Sequence, residues 1–346
     1  MLAAKLFGKE DLRVVEVPVP SVGEGEILVR VKTATVCGTD LRMFKNGEDG
    51  VDENHPLTLG HEFAGFIEDI GNGVTQLERG ERVCVAPNIG CGVCRRCVSG
   101  ESHHCKERRA IGIHMDGGLA ELVKIPREAV NNGNVVSIAD GVSFGAAAAN
   151  EAFSCAYNAY ERYRVDPGDT VVIIGAGPVG LMHAKLALMS GAAKVIMNDL
   201  SRSRLDECAS IEPRITAVTE NLPEFVRDTT GGDGAEVVIT ACSVATVQQS
   251  AFSLAGIDGR VCFFGGLPKG QELVQLDTNQ IHYKQLTVIG VTRSSHAHYR
   301  RTLDLISKGF VDIDPIVTHS FGIKDAARAF DNNSRAIGLK QAVIFE

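Results

Sequence analysis

The sequence has no excess of positive charge, since 43 Asp and Glu residues outnumber 35 Lys and Arg residues and give a formal net charge of −8. A general binder of nucleic acid or of anionic membranes needs a basic face, so the composition argues against both partners. No apolar run is long enough to cross a bilayer. The N-terminal segment MLAAKLFGKEDLRVV carries charges early and has no apolar core of signal-peptide length. The sequence therefore predicts a cytoplasmic protein without nucleic-acid or membrane partners.

Internal repeats and low-complexity tracts are absent as well. At 346 residues the chain is too long for one typical core, so two domains are expected. Up to residue 150, short strand patterns separated by glycine turns predict a compact, barrel-like antiparallel domain. From 151 to 294, strand and helix patterns alternate, which predicts a parallel sheet flanked by helices and an α/β fold class. The tail, 295–346, is expected to return to the first domain.

Cysteine is concentrated in one segment, because four of the ten cysteines stand in the run CGVCRRCVSGESHHC. The two-residue gaps let four thiolates converge on one zinc ion in a tetrahedral site. Disulfides are disfavoured by the predicted cytoplasmic location, and the spacings familiar from iron–sulfur ferredoxins differ. A closed site leaves no position for a reactant. The run is therefore predicted to hold a structural zinc through Cys91, Cys94, Cys97 and Cys105.

A glycine-rich turn directly follows the apolar strand pattern VVII and opens the helix pattern VGLMHAKLALMSG. In the motif G-x-G-x-x-G the first glycine makes a tight turn, the second lets the backbone approach a pyrophosphate, and the third lets helix pack on strand. The helix N-terminus then attracts the phosphates. The turn predicts a Rossmann-type dinucleotide-binding domain with cofactor contacts from Gly175, Gly177, Pro178, Val179 and Gly180.

The next strand pattern ends at Asp199, about twenty residues beyond the glycines, where a ribose-binding carboxylate is expected. Such a carboxylate accepts hydrogen bonds from the ribose hydroxyls and repels a 2′-phosphate, so NAD is predicted over NADP. Arg202 and Arg204 follow closely and make that exclusion imperfect, and Arg204 is a further candidate for cofactor binding. The alternative interpretation of Asp199 is that it only caps a helix.

A second set of metal-binding residue types lies away from the four-cysteine run. Cys37 stands in CGTDL, and His61 and Glu62 stand in LGHEFAG. Thiolate, imidazole and carboxylate all bind zinc well, and three protein ligands with one open position form a catalytic zinc site. Each residue alone is ordinary. The prediction of a second zinc ion depends on their combination with a cofactor fold and a separate structural zinc site.

Taken in order, the motifs CGTD, GHEFAG, the four-cysteine run, GAGPVG and the C-terminal LKQAVIF resemble the zinc-dependent medium-chain dehydrogenase/reductase family over the whole chain. The resemblance implies a GroES-like, β-rich catalytic domain of residues 1–150 and 295–346. It also implies a Rossmann domain of residues 151–294 with a doubly wound parallel sheet. Members of the family usually associate through an edge strand of the cofactor domain, so a homodimer or homotetramer is expected.

The resemblance also implies roles for single residues. A catalytic zinc would be held by Cys37, His61 and either Glu62 or Glu151. Glu151 lies in NEAFSC, where polyol dehydrogenases of the family usually read Glu-Pro, so Ala152 is a departure from the pattern. Three further roles are a carboxylate that orients the zinc-bound histidine, a hydroxyl that takes the substrate proton and a basic residue at the cofactor pyrophosphate. They fall on Asp40, Thr39 and Lys340 respectively.

The substrate prediction depends on Glu62, because a glutamate straight after the zinc histidine resembles the sorbitol, galactitol-phosphate and threonine dehydrogenase branches. Many of those have a histidine where this chain has Arg42, so the exit of the proton path is expected to differ. Arg42 is either a solvated surface residue or a contact for an anionic substrate group. Arg293 falls where polyol dehydrogenases place a substrate-side arginine.

The resemblance therefore predicts zinc- and NAD-dependent oxidation of a polyol or polyol phosphate to a ketose. A threonine-type amino-alcohol dehydrogenase is the alternative enzyme, because it shares CGTDL and GHEF. An alternative of another class is a non-catalytic structural or regulatory protein that binds NAD and zinc. No His–Asp–Ser arrangement in the sequence suggests a hydrolase.

Overall fold

The structure is a computed structural model that describes residues 1–346. The chain divides into two units, one formed by Met1–Ser154 with Ser294–Glu346 and the other by Cys155–Arg293. The boundaries predicted from the sequence, after residue 150 and before residue 295, lie a few residues from these. No helix is long and apolar enough to cross a membrane.

The chain contains eighteen strands, which form two large sheets and two small ones. They are β1 (Leu2–Gly8), β2 (Asp11–Glu16), β3 (Ile27–Val36), β4 (Leu57–Thr58), β5 (Glu62–Ile70), β6 (Arg82–Val85), β7 (Asn88–Ile89), β8 (Arg109–Ala110), β9 (Leu122–Ile125), β10 (Val135–Ser137), β11 (Thr170–Ile174), β12 (Lys194–Asn198), β13 (Ile215–Val218), β14 (Ala235–Thr240), β15 (Ala255–Phe263), β16 (Thr287–Gly290), β17 (Val317–Gly322) and β18 (Lys340–Ile344).

Eleven α-helices connect them, together with short 3-10 helices at Ser102–His104, Asp314–Ile316 and Ile323–Asp325. The α-helices are α1 (Gly38–Asn46), α2 (Arg95–Val98), α3 (Arg127–Asn131), α4 (Phe144–Tyr163), α5 (Pro178–Met189), α6 (Arg202–Ile211), α7 (Leu222–Thr229), α8 (Ala245–Leu254), α9 (Thr278–Tyr283), α10 (His296–Ser307) and α11 (Ala326–Ser334).

The first unit is built around a seven-stranded sheet in the order β10-β6-β5-β3-β18-β17, with β9 beside β3. The strand β3 is central, because β9 pairs with its first half and β18 with its second half, while β5 runs along its other side. Its sequence, ILVRVKTATV, is rich in β-branched residues, which suit a pleated and buried surface. The core under this sheet includes Ile27, Val29, Val31, Phe63, Ile67 and Val343.

The C-terminal tail pairs with the central strand of the first unit. Residues Gln341 to Ile344 of β18 pair antiparallel with residues Val36 to Thr33 of β3. The end of β3 therefore lies beside the starts of β5 and β18. The residue after β3 and the first residues of β5 and β18 therefore meet where these strand ends lie side by side. We call this end of the sheet the metal edge, because its residues include Cys37, Glu62 and Lys340.

The second unit holds a six-stranded sheet in the order β13-β12-β11-β14-β15-β16. Each of its neighbouring pairs is parallel. Numbered within the unit, this is the strand order 3-2-1-4-5-6 of a doubly wound dinucleotide-binding sheet. The predicted α/β class and the predicted alternation of strands and helices are confirmed. Its core includes Val172, Ile196, Val238, Phe252 and Val261.

Candidate metal centres and dinucleotide site

The four cysteines of the predicted structural zinc site converge in the first unit, and none of them forms a disulfide. The Sγ atom of Cys94 lies 3.6 Å from that of Cys97 and 3.8 Å from that of Cys105, and the Sγ atoms of Cys91 and Cys97 are 4.0 Å apart. A tetrahedral zinc ion with Zn–S bonds of about 2.3 Å places its sulfur ligands about 3.8 Å from each other. The arrangement therefore fits zinc.

Backbone N–H groups help to hold these sulfurs in place. The N–H of Cys94 donates to Sγ of Cys91 and the N–H of Cys91 donates to Sγ of Cys105, both at 3.4 Å. The backbone N–H of Cys97 is the main cause that lowers the pKa of the Cys94 thiol to about 7, whereas burial raises that of Cys97 to about 12. Metal binding must displace the proton of Cys97. Gly90 is required nearby, because a Cβ there would lie 2.6 Å from Sγ of Cys97.

A second group of metal-binding atoms lies at the metal edge. The ligand atoms of Cys37, His61 and Glu62 all lie within 4.8 Å of one another. Cys37 follows β3 as the N-cap of α1, and Glu62 begins β5 directly after His61. His61 and Glu62 are buried. The thiolate, imidazole and carboxylate fit a zinc centre with three protein ligands.

Asp40 contacts two of these candidate ligands, Cys37 and His61. Its buried carboxylate accepts the backbone N–H of Cys37 at 2.8 Å and that of Gly60 at 3.3 Å. Oδ1 also lies 3.4 Å from Nδ1 of His61, which has no well-formed hydrogen bond. Nδ1 therefore faces Asp40, and Nε2 is the ring nitrogen that a metal could bind.

The charge around His61 suits a bound cation. Burial lowers the pKa of His61, but the negative charges of Asp40 and Cys37 outweigh burial and raise it well above its usual value. The same field that favours a proton on the imidazole favours a metal cation in its place.

Glu62 is fully buried and is held by two partners that the sequence analysis did not connect with it. The hydroxyl of Thr35, its cross-strand neighbour on β3, donates to Oε2. The ammonium of Lys340 lies 2.7 Å from Oε1 and 2.6 Å from Oε2. Lys340 is 3% exposed. Burial lowers its pKa, but the charges of Glu62 and Cys37 outweigh burial and raise it. No local signal in the sequence singles out Thr35, because β3 also contains Arg30, Lys32 and Thr33.

The other predicted residues of this unit lie around the centre in different positions. Thr39 is half-buried in the first turn of α1, and Arg42 is exposed on the same helix. Glu151 is buried on α4, outside the group of ligand atoms formed with Cys37 and His61. Its charge is among those that raise the pKa of Lys340, so it lies near the metal edge.

The glycine turn of the second unit joins β11 to α5 and has the shape expected of a pyrophosphate cradle. Gly175 has a φ of +119°, and Gly177 is the N-cap of α5, with Pro178 at the first helical position. A Cβ at Gly180 would lie 1.9 Å from the carbonyl oxygen of Gly175, whereas the nearest atom to a Cβ at Gly177 is Nη1 of Arg204 at 3.9 Å. The second glycine therefore leaves open space where a ligand can approach the backbone.

Asp199 directly follows β12 and lies beside this turn. Its Oδ2 accepts the N–H of Ala176 at 2.8 Å, and its Oδ1 accepts the N–H of Ser201 at 2.8 Å. The carboxylate is thus fixed at the end of the strand next to the glycines, where a ribose would be held. Arg293, in the same unit, is exposed and has a φ of +59°, a left-handed conformation that is uncommon outside glycine.

Two cysteine substitutions separate the metal centres. We expect close to two zinc ions per purified chain, since two ligand groups are present. Cys91→Ser should retain about one zinc ion and give a lower folding yield, because structural zinc binding is coupled to folding. Cys37→Ser should also retain about one zinc ion but keep its melting temperature. Elemental analysis and thermal melts decide, and two zinc ions retained in Cys37→Ser would contradict the second centre.

A pair of glycine substitutions tests the dinucleotide site. Gly177→Ala places a methyl group in the open space of the turn, so NAD affinity should fall at least about tenfold, or about 1.4 kcal/mol, with an unchanged melting temperature. The methyl group in Gly180→Ala cannot avoid the carbonyl of Gly175, so this variant should have a lower NAD affinity and a lower melting temperature. Titration calorimetry and thermal melts measure these effects. Normal NAD affinity in Gly177→Ala would place the pyrophosphate elsewhere.

Comparison with known proteins agrees with both units. Residues 23–140 match the family described as alcohol dehydrogenase GroES-like domain, and residues 178–308 match the family described as zinc-binding dehydrogenase. The chain is 32% identical to an L-threonine 3-dehydrogenase of Rhizobium etli, over 91% of this chain and 90% of that protein. It is 30% identical to an L-galactonate-5-dehydrogenase of Escherichia coli, over 92% and 90% respectively.

Solved structures give the same result. An alcohol dehydrogenase from a Thermus species superimposes with a TM-score of 0.91 at 28% identity over the full length of both chains. A zinc-binding dehydrogenase from Sinorhizobium meliloti bound to NADP gives a TM-score of 0.88 at 29% identity over 99% of each chain. Galactitol-1-phosphate dehydrogenase from Escherichia coli gives 0.88 at 25% identity over the full length of both chains. The cofactors predicted from the sequence, zinc and a nicotinamide dinucleotide, are those of this group. The chain belongs to the zinc-dependent medium-chain dehydrogenase family.

Proposed function

We propose that the protein oxidises a secondary alcohol of a polyol or polyol phosphate to a ketose, with zinc and NAD as cofactors. The observation that carries the proposal is the group of Cys37, His61 and Glu62, which offers three ligands, so that a four-coordinate zinc ion held there would have one position for a substrate oxygen. A glycine turn and a carboxylate suited to a dinucleotide are present in the same chain. A purely structural metal site would have no need of an open position.

The residues of the first unit have distinct parts in this reaction. Cys37, His61 and Glu62 would hold the zinc, which supplies a Lewis acid that lowers the pKa of a substrate hydroxyl. Asp40 keeps His61 in the orientation that presents Nε2. Thr39 follows Cys37 by two residues and is half-buried, so its hydroxyl is suited to accept the substrate proton and pass one on.

Glu62 is the better supported of the two carboxylates as third zinc ligand. Its oxygen lies within 4.8 Å of the Cys37 and His61 ligand atoms, and no such group includes Glu151. Glu151, which is buried near the metal edge, can instead shape the substrate pocket. Arg42 and Arg293, both exposed, remain the candidates for contacts with a phosphate or carboxylate on the substrate.

The choice of NAD over NADP depends on Asp199. Its carboxylate is fixed by two backbone N–H groups at the end of β12 and would repel a 2′-phosphate. Arg204 reaches the glycine turn and can contact cofactor phosphates. The proposal includes a homodimer or homotetramer, since β16 is an edge strand of its sheet with exposed side chains.

A threonine-type dehydrogenase is the second candidate. Its support is the 32% identity to L-threonine 3-dehydrogenase over most of both chains. The two candidates share the metal centre and the cofactor, and they differ in whether the substrate carries hydroxyl groups or an ammonium and a carboxylate beside the reacting carbon.

A substrate panel separates the candidates. Purified zinc-loaded protein is assayed for NADH formation with sorbitol, galactitol, their phosphates, L-galactonate and L-threonine. We expect kcat/KM for at least one polyol or polyol phosphate to exceed that for L-threonine by about tenfold or more, because a pocket with matched hydrogen bonds rejects analogues that leave them unpaired. L-Threonine as the best substrate would favour the alternative, and no NADH with any alcohol would contradict a dehydrogenase.

Two substitutions at Thr39 test the proton path. Thr39→Ser keeps the hydroxyl and should keep most of the activity. Thr39→Val is close in shape but has no exchangeable proton, so kcat should fall by about 10² or more, within the usual range for proton-transfer groups. Steady-state kinetics and thermal melts are measured for both variants. Near-normal kcat in Thr39→Val would exclude a path through this residue.

A further inference from the structure

The metal edge contains a positive charge among negative groups. Cys37, Asp40 and Glu62 bring a thiolate and two carboxylates, and the ammonium of Lys340 contacts Glu62 directly. Lys340 is buried, so its ammonium is committed to this cluster.

The contacts of Glu62 use up most of its acceptor capacity. An ionised carboxylate offers about four lone-pair sites on its two oxygens. The ammonium of Lys340 lies 2.7 Å from Oε1, to which it donates a hydrogen bond, and 2.6 Å from Oε2, so it occupies the side of the carboxylate that faces both oxygens. The hydroxyl of Thr35 donates to Oε2 as well. Oε1 keeps a site on its outer side for a metal ion. A metal bound through both oxygens would need the side that Lys340 occupies, so a carboxylate held in this way can bind a metal through one oxygen only.

The geometry points to Lys340, with Thr35, as a positioning residue of the metal centre that restricts Glu62 to one ligand oxygen and so keeps the fourth zinc position open. The inference deepens the proposed function, because an open position is where the substrate oxygen would bind. It also gives Lys340 a different part from the contact with the cofactor pyrophosphate that the sequence resemblance implies.

Removal of Lys340 has two consequences, and both strengthen metal retention. The second oxygen of Glu62 becomes free to bind the metal, and a positive charge that repels the metal is lost. Lys340→Met keeps most of the length of the side chain without its charge, whereas Lys340→Arg keeps a cation that can donate to both carboxylate oxygens. Thr35→Val keeps the shape of the side chain and removes one donor without any change of charge.

Two metal readouts test the inference without any substrate. The first is the rate at which a chelating dye removes zinc from the centre of Cys37, His61 and Glu62, which we call the mixed centre. Cys37→Ser identifies the phase of zinc release that belongs to it. The second is the visible spectrum of the fully cobalt-loaded protein after subtraction of the spectrum of cobalt-loaded Cys37→Ser. Four-coordinate Co²⁺ absorbs strongly in this region and five-coordinate Co²⁺ absorbs more weakly. Thermal melts and the zinc content of the four-sulfur centre report whether each variant is folded.

In Lys340→Met we expect zinc release from the mixed centre to slow by about tenfold or more, a size typical of changes to the partners of metal ligands. We also expect the cobalt spectrum to weaken and NAD affinity to stay unchanged. Lys340→Arg should behave like the unmodified protein. Thr35→Val should shift both readouts in the same direction but less, and it carries the test if Lys340→Met does not fold.

Faster or unchanged zinc release together with an unchanged cobalt spectrum in Lys340→Met would overturn the inference. So would a tenfold loss of NAD affinity with normal metal readouts, which would return Lys340 to the pyrophosphate. Failure of the proposed function is seen separately, as absence of NADH formation by the unmodified protein with every alcohol tested.

Discussion

The buried ion pair between Glu62 and Lys340 is the interaction on which the proposed catalytic centre depends. The two residues are separated by 278 positions in the sequence, yet their charged groups lie 2.6 Å apart in a region closed to solvent. A buried carboxylate without a partner would cost several kcal/mol. The chain meets this constraint by returning to the first unit, where β18 pairs with one side of β3 and β5 pairs with the other. The return of the C-terminal segment to the first unit therefore supplies the buried partner that Glu62 requires.

The two metal centres illustrate how ligand chemistry divides structural from catalytic roles. In the four-sulfur centre, backbone N–H groups and a required glycine enclose the cysteines, and every ligand position is filled by sulfur. At the metal edge, by contrast, each ligand has its own buried support: Asp40 for Cys37 and His61, and Thr35 with Lys340 for Glu62. Such support fixes three ligands without adding a fourth, and that is the condition for a zinc ion that binds a substrate.

Much of this arrangement follows from local sequence. The cysteine spacing predicts a four-sulfur group, the glycine motif predicts a cradle, and the β-rich and alternating segments predict two different sheets. Each of these signals is local because neighbouring residues in the sequence form the whole feature. Asp40 is also local, since it lies three residues after Cys37 and accepts the backbone N–H of that residue, but only the family resemblance implies its role.

Contacts between distant strands could not be predicted in this way. That Lys340 lies beside Glu62 depends on the register of β18 against β3 and of β3 against β5, and no short motif encodes two registers at once. The same is true of Thr35, whose hydroxyl matters only because Glu62 is its cross-strand neighbour. The sequence also leaves open whether Glu62 or Glu151 lies with Cys37 and His61, because only the fold places one carboxylate in that group.

The central claim is that the metal edge holds a zinc ion bound by Cys37, His61 and one oxygen of Glu62. The most direct measurement is anomalous diffraction, recorded at the X-ray absorption edge of zinc, from crystals of the zinc-loaded protein. The account predicts two zinc peaks per chain, one among the four cysteines and one at the metal edge, with Oε1 of Glu62 as a single ligand oxygen and Lys340 still in contact with the carboxylate. A chain with zinc only among the four cysteines, or with Glu62 turned away from the metal, would contradict it.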